Sequence, residues 1–160
     1  MLYPLLALCC AKRVVVREWS MSPTLLPDEY VLVDRLAYWF GHPQRGDIVL
    51  ARHPHRPEML LLKRVAALPG EQVRCDAAGC WPITRHGGAA GGGGVPATGR
   101  DTWEVGANEY FLVGDAADLS TDSRQFGPVA RRAILGRAWL VYWPTARWRR
   151  LSGDGRTPAV

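Results

Sequence analysis

Lysine is nearly missing from this chain. Of its 20 basic residues only Lys12 and Lys63 are lysines, the rest being arginines. Lys63 stands inside the apolar run Met59-Leu60-Leu61-Leu62-Lys63-Arg64-Val65-Ala66-Ala67-Leu68. A composition that writes arginine almost everywhere has kept lysine there. An ammonium in a dry pocket can lose its proton near neutral pH and a guanidinium cannot, so the retained residue is the one a base would require. Helix-length amphipathic patterns are also scarce, which excludes a helical bundle. No apolar run reaches the ~20 residues that span a bilayer. Two neighbouring cysteines, Cys75 and Cys80, do not make a zinc site, and His86 is not in a finger-like spacing.

What is present describes a folded domain. The 160 residues are 48% hydrophobic, enough for one core with a small subdomain. The net charge of +5 is moderate. Arginines gather late, at Arg147, Arg149 and Arg150, beside Trp139, Trp143 and Trp148. No nucleic-acid motif accompanies them, so nucleic acid is not expected as a partner. Arginine interleaved with tryptophan fits the headgroup zone of a membrane, and a lipid surface is the expected partner.

Residues 2 to 11 are apolar throughout and are followed by Lys12-Arg13. Lacking a basic n-region and a small residue before Cys9, the segment is not read as a removable signal. Residues 1–13 are expected to be a membrane anchor or a truncated transmembrane segment rather than a core element, because no polar face breaks the run. Lys12-Arg13 would tend to hold the chain beyond them in the cytoplasm, although long domains often cross regardless. Cys9-Cys10 lie within this run as free or acylated thiols. Cys75 and Cys80 enclose Asp76-Ala77-Ala78-Gly79, a turn-like stretch. They are either bridged across a hairpin, which would imply an oxidising compartment, or left as two thiols.

Short β-branched or aromatic runs at residues 14–16, 30–33, 47–51, 60–65, 110–113 and 138–143 read as strands between proline or glycine turns. The fold expected is mainly β, with a main domain over 14–150, a small inserted β subdomain over 71–107 and a flexible tail over 151–160. Residues 36–40 are the one candidate helix. Residues 86–100 form a glycine-rich loop without the lysine and following helix of a phosphate cradle.

Ser20, in Trp19-Ser20-Met21-Ser22-Pro23-Thr24, is the candidate nucleophile. A serine hydroxyl needs a base, which is either histidine or a neutral lysine. Burial among Leu61, Leu62 and Val65 would lower the Lys63 pKa. On a strand Lys63 and Arg64 point to opposite faces, so one can serve the site while the other holds an ion pair. His42, His53, His55 and His86 lie beside prolines or glycines and are expected to be solvated, which disfavours a histidine base. Taken singly, Ser20 reads as a turn serine and Lys63 as a strand-edge lysine. A third segment lifts both: the polar loop running from Gly114-Asp115 to Phe126-Gly127. In it Ser120 can hold a neutral amine, and Asp122 with Arg64 or Arg124 can lock the loop. Its carboxylate spacing does not fit a calcium loop, and neither a metal nor an organic cofactor is expected.

Together these segments resemble the bacterial type I signal peptidase family, the serine-lysine membrane peptidases that remove leader sequences from exported proteins. The matching boxes are Ser20-Met21-Ser22-Pro23-Thr24-Leu25, Arg45-Gly46-Asp47-Ile48-Val49, Lys63-Arg64-Val65 with Leu68-Pro69-Gly70, and Gly114-Asp115 through Ser120-Thr121-Asp122-Ser123-Arg124 to Phe126-Gly127. The resemblance implies a signal-peptidase-like antiparallel β-sheet catalytic core. It implies Ser20 as acylated nucleophile, Lys63 as general base, Ser120 as the hydroxyl positioning the amine, and Asp122 and Arg124 as supports. It also implies precursor-protein signal peptides as substrates, cut after small residues at −1 and −3 and bound by strand addition, and a catalytic domain on the outer face of the cytoplasmic membrane. Trp143-Pro144-Thr145-Ala146-Arg147-Trp148 looks like the end of the related mitochondrial inner-membrane peptidases. The chain departs from the pattern at Ala67, Glu71 and Ala116. At Glu18 some members carry a serine or glycine beside the oxyanion hole, so the Ser20 amide must carry more of that stabilisation. Alternatives are a related protease with one dedicated substrate, and a catalytically silent β domain that binds peptides. Self-cleavage of the SOS-repressor kind lacks the DNA-binding module it would need.

Overall fold

The structure, a computed structural model, describes residues 11–39, 41–76, 79–83, 102–151 and 153. The apolar run at residues 2 to 10 with Cys9-Cys10, the glycine-rich stretch 86–100 with His86, and most of the tail lie outside the described residues.

Eleven strands are described, in chain order β1 (Lys12–Val15), β2 (Tyr30–Asp34), β3 (Ile48–His53), β4 (Arg56–Ala67), β5 (Gln72–Asp76), β6 (Gly79–Ile83), β7 (Thr102–Glu104), β8 (Glu109–Val113), β9 (Val129–Ala130), β10 (Ile134–Trp143) and β11 (Arg149–Arg150). One short helix, α1 (Ser123–Phe126), interrupts them. Eight strands build the main sheet in the order β1-β2-β10-β3-β4-β8-β9, with β11 added beside β10. Three more form a separate sheet, β6-β5-β7, whose residues fall within 71–107. All strand pairs are antiparallel. Lys12 and Arg13, read from the sequence as the end of the anchor, are strand residues facing Val33 and Leu32.

Alternation explains the two-sided packing of the main sheet. Val31, Val33, Ile48 and Leu50 join Met21, Leu25, Ala138 and Val141 in one core. Val49 and Ala51, one step out of phase with Ile48 and Leu50, join Tyr38, Val65, Leu112 and Ile134 in a second. A third core, with Val73, Val105 and Phe111, fastens the small sheet to the end of β4. Glycine bends the chain where the sequence placed turns: Gly46 has φ 88° and Gly70 φ 81°, values that side chains avoid.

Two expectations are corrected. Of the candidate helix over 36–40, the described residues 36–39 form a turn, closed by the Trp39 amide on the Leu36 carbonyl, and residue 40 lies outside the described residues. Asp34 Oδ1 takes the Leu36 amide at 2.8 Å and Asp47 Oδ2 takes the Tyr38 hydroxyl at 2.9 Å, so side chains fix one turn that is too short to propagate. His53 is not solvated. It is buried at the end of β3 against Phe126, with ring centroids 4.8 Å apart, and burial holds its imidazole below the usual range.

Candidate active site

Ser20 occupies a 3-10 turn, Trp19–Met21, between β1 and β2. Met21 and Leu25 plunge into the first core on its far side, and the Leu25 amide donates to the Met21 carbonyl at 2.8 Å. The apolar residues after the serine therefore pin its backbone. Arg149 adds a second clamp, donating to the Thr24 carbonyl and pairing with the buried Glu29 at 2.8 Å. Lys63 lies within β4 opposite Val49 of β3.

These two residues, 43 positions apart in sequence, meet. Lys63 Nζ donates to Ser20 Oγ at 2.7 Å, with both side chains buried. Lys63 is only 1% exposed and the bulkiest of the fully buried side chains. Burial is the largest influence on its amine and pushes it below the ordinary 10.5. The carboxylates of Asp122, Glu18 and Asp115 pull it back up and Arg124 pushes it down, leaving a lowered value.

Its strand neighbour points elsewhere. Arg64 makes a two-pronged pair with Asp115, Nε to Oδ1 at 2.8 Å and Nη2 to Oδ2 at 2.7 Å, and donates to the Gly46 carbonyl and to Thr24 Oγ1. Arg64 thus ties the loop after β8 to the segment that carries Ser20. The loop is tied a second time, since the Ala116 amide donates to the Ser20 carbonyl at 3.1 Å.

Asp122 organises the rest of that loop. It is fully buried, and its carboxylate accepts from the Gly114 amide at 2.8 Å, Ser120 Oγ at 2.7 Å, and the Arg124 amide, Nε and Nη2. Burial alone would raise its pKa. The hydrogen bonds from Arg124, Gly114 and Ser120 outweigh that and hold the carboxyl below the usual range. Asp122 also caps α1, with Gln125 returning a bond to its amide.

Ser120 is buried beside the pair, but it donates to Asp122 and makes no hydrogen bond to Lys63. Gly114 is the residue between Ser120 and the Ser20 turn. A methyl group on it would run into both Ser120 Oγ and the Ser20 carbonyl oxygen. Sequence reasoning assigns no clearance role to Gly114 and does not pair Arg64 with Asp115. The signal available for the glycine is its place at the end of an apolar strand and at the head of a polar loop.

Ser20 and Lys63 open onto a cleft of about 280 Å³, bounded by Val14 and Glu18 on one side and by Leu60 and Leu62 on the other. β4 pairs with β8 only from Arg64 onward, so the stretch leading up to Lys63 has no strand partner on that side among the described residues. β1 is a terminal strand of the sheet. Among the described residues, no helix is long and apolar enough to cross a membrane. Cys75 and Cys80 are joined by a disulfide at facing positions of β5 and β6.

The family model described as signal peptidase, peptidase S26, matches residues 1–80 and 94–143. The mitochondrial inner membrane protease subunit 1 of Xenopus tropicalis is 34% identical over 125 residues, covering 78% of this chain and 65% of that protein. The mitochondrial ATP-independent inner membrane protease subunit 1a of Arabidopsis thaliana is 36% identical over 128 residues, covering 78% of this chain and 66% of its own length. The signal peptidase I of Leptolyngbya laminosa is 31% identical over 139 residues, covering 80% and 66%. The chain spans 65% to 66% of the length of these relatives.

Proposed function

The chain belongs to the signal peptidase family, peptidase S26, and from that premise we propose that it is a membrane-associated serine endopeptidase that cleaves N-terminal signal peptides from exported proteins through a Ser20–Lys63 dyad. The observation that carries the reading is the 2.7 Å contact between Ser20 Oγ and an amine buried from water.

The chemistry starts from that contact. With Lys63 deprotonated, the Ser20 hydroxyl donates across the same distance and passes its proton to Nζ as Oγ attacks the scissile carbonyl carbon. The ammonium so formed returns the proton to the departing amine as the C–N bond breaks, leaving an acyl-Ser20 ester. Lys63 then takes a proton from water, the hydroxide adds to the ester, and Oγ leaves with the proton from Nζ. The developing oxyanion falls to backbone amides at the turn, above all that of Ser20, because Glu18 offers no fixed donor. Ser120 is assigned the positioning of the amine: its proton is committed to Asp122, so its oxygen can only accept. Asp122 and Arg124 hold Ser120 and the loop in place.

An extended substrate enters the cleft by pairing with the open edge ahead of Lys63, so that its −1 and −3 side chains, two residues apart, face the same wall. The disulfide supports an oxidising location, hence a catalytic domain on the outer face of the membrane with residues 2 to 11 as the anchoring segment. The test is to incubate the full chain with a signal-bearing precursor and read the product by mass spectrometry, with Ser20→Ala alongside. A cut after a small residue that Ser20→Ala abolishes, with Ser20 labelled by an acylating serine inhibitor, is expected. An unlabelled Ser20, or cleavage that survives its replacement, overturns the proposal.

A further inference from the structure

Four adjacent strands of the main sheet have termini at one end. β1 begins at Lys12, β2 finishes at Asp34, β10 begins at Ile134 and β3 finishes at His53, and the antiparallel order β1-β2-β10-β3 brings these ends together. Two hollows lie there, of about 410 Å³ and about 390 Å³, and they share Arg35 and Leu135 as a common wall. Lys12 and Arg52 line the first, Arg131 and Trp39 the second, and among the described residues no carboxylate lines either. Asp34, the acidic residue next in sequence, is buried with Oδ1 on the Leu36 amide.

Three of these cations reach solvent and the fourth is braced on an aromatic ring. Arg131 is fixed on Tyr38, donating to its carbonyl at 2.9 Å and lying 5.3 Å from its ring centroid. Arg52 spends one N–H on the Pro57 carbonyl, and Lys12, Arg35 and Arg52 are exposed. Charge of one sign around a concave surface concentrates anions. Position selects which anion. Ala11 lines the same groove, and the residues just before it are apolar without interruption. The exposed Trp39 supplies an indole of the kind that sits at headgroup level.

We propose that this groove binds the phosphate headgroups of anionic lipids where the chain meets the membrane. The proposal rests on the membrane-associated reading and adds a site to it. The groove holds the domain against the bilayer by charge, beyond what the apolar segment supplies, and so orients it.

The experiment is co-sedimentation of the full chain with phosphatidylcholine vesicles, with and without phosphatidylglycerol. It compares wild type, Arg35→Gln with Arg52→Gln, and a charge-matched control outside the groove, Arg74→Gln with Arg137→Gln. Wild type is expected to prefer phosphatidylglycerol. The groove variant is expected to bind those vesicles roughly 30-fold more weakly, at the usual strength of two basic side chains near an anionic surface. It should keep wild-type binding to phosphatidylcholine, and the control should keep most of the preference. If the control weakens as much as the groove variant, or neither weakens, the groove is not the site although the membrane reading stands. If wild type binds neither vesicle, that reading and the site fail together. Release of wild type from phosphatidylglycerol vesicles by millimolar inorganic phosphate or an acidic peptide at constant ionic strength would assign the groove to a soluble anion instead.

Discussion

Gly114→Ala should disable the site while leaving the fold in place. The added methyl would collide with Ser120 Oγ and the Ser20 carbonyl oxygen and sit 2.6 Å from Ser120 Cβ, nearer than the 3.0 Å that real Cβ atoms respect. Two of these obstacles cannot rotate away, because the Ser20 carbonyl is backbone and Ser120 is tied to Asp122. Relief requires the Ser20 turn and the loop to part, straining the Ala116 amide bond to Ser20 and the contact with Lys63. Overpacking of this kind costs about 1–3 kcal/mol in stability. With ~2 kcal/mol per molar as a representative urea slope, the unfolding midpoint should fall by about 1 M. Displacing a reacting group by about 1 Å costs about 100-fold in rate, so kcat/KM on a signal-peptide substrate should drop by that order, mostly in kcat. Gly41→Ala, whose methyl meets nothing nearer than the Ala37 carbonyl at 4.0 Å, is the control. A Gly114→Ala enzyme that cleaves within about threefold of wild type would refute the reasoning, since the glycine would then have nothing to clear.

The same contacts have further consequences. Because the Lys63 pKa is lowered, kcat/KM should rise with pH along a limb whose midpoint lies below 10.5; a flat profile, or a limb at the position of an exposed lysine, would count against the base. Asp122 is held below its unfolded value, so the stability it contributes is present above about pH 4 and fades as pH falls through the folded value. Urea titrations of Asp122→Asn should show a loss of about 3–5 kcal/mol at neutral pH and a shallower acid dependence, and an acid limb as steep as wild type would contradict this. Reduction of Cys75–Cys80, 5 positions apart in the sequence, should cost about 2 kcal/mol and leave peptide cleavage unchanged, as unfolding and activity with and without reductant would show.

The strands most legible in the sequence are those whose side chains alternate or run apolar between strong turns. Residues 30–33 and 47–51 read as strands because Val31, Val33, Ile48 and Leu50 are dictated by one core and Val49 and Ala51 by another. The two-residue strands β9 and β11 leave no such trace, since they are defined by pairing with distant segments rather than by local pattern. Residues 36–40 carry a helix-like composition, but the Leu36 amide is taken by Asp34 just before it and the Tyr38 hydroxyl by Asp47 just after, side-chain bonds that an apolar pattern does not reveal. His53 misleads for a similar reason: its neighbouring proline suggests a loop, and what buries it is Phe126, far along the chain.

At the site, Ser20 and Lys63 are legible from residue chemistry, since one retained lysine in an apolar strand narrows the choice of base. The division of labour between Lys63 and Arg64 is set by strand alternation. The partner of Arg64 is not. Asp115 lies 51 residues away, and its sequence gives no preference over Asp122. Ser120 sits in the loop as expected, yet its hydrogen bond goes to Asp122, because a buried carboxylate demands donors and the hydroxyl is nearest in chain.

The central claim is that an uncharged amine at position 63 activates Ser20. Replacing Lys63 by arginine retains a cation and removes the ability to accept a proton near neutral pH. In a single-turnover assay on a signal-peptide substrate, the Lys63→Arg enzyme should cleave about 100- to 10,000-fold more slowly than wild type. Cleavage by Lys63→Arg within about threefold of wild type, with Ser20 still acylated, would show that Lys63 is not the base.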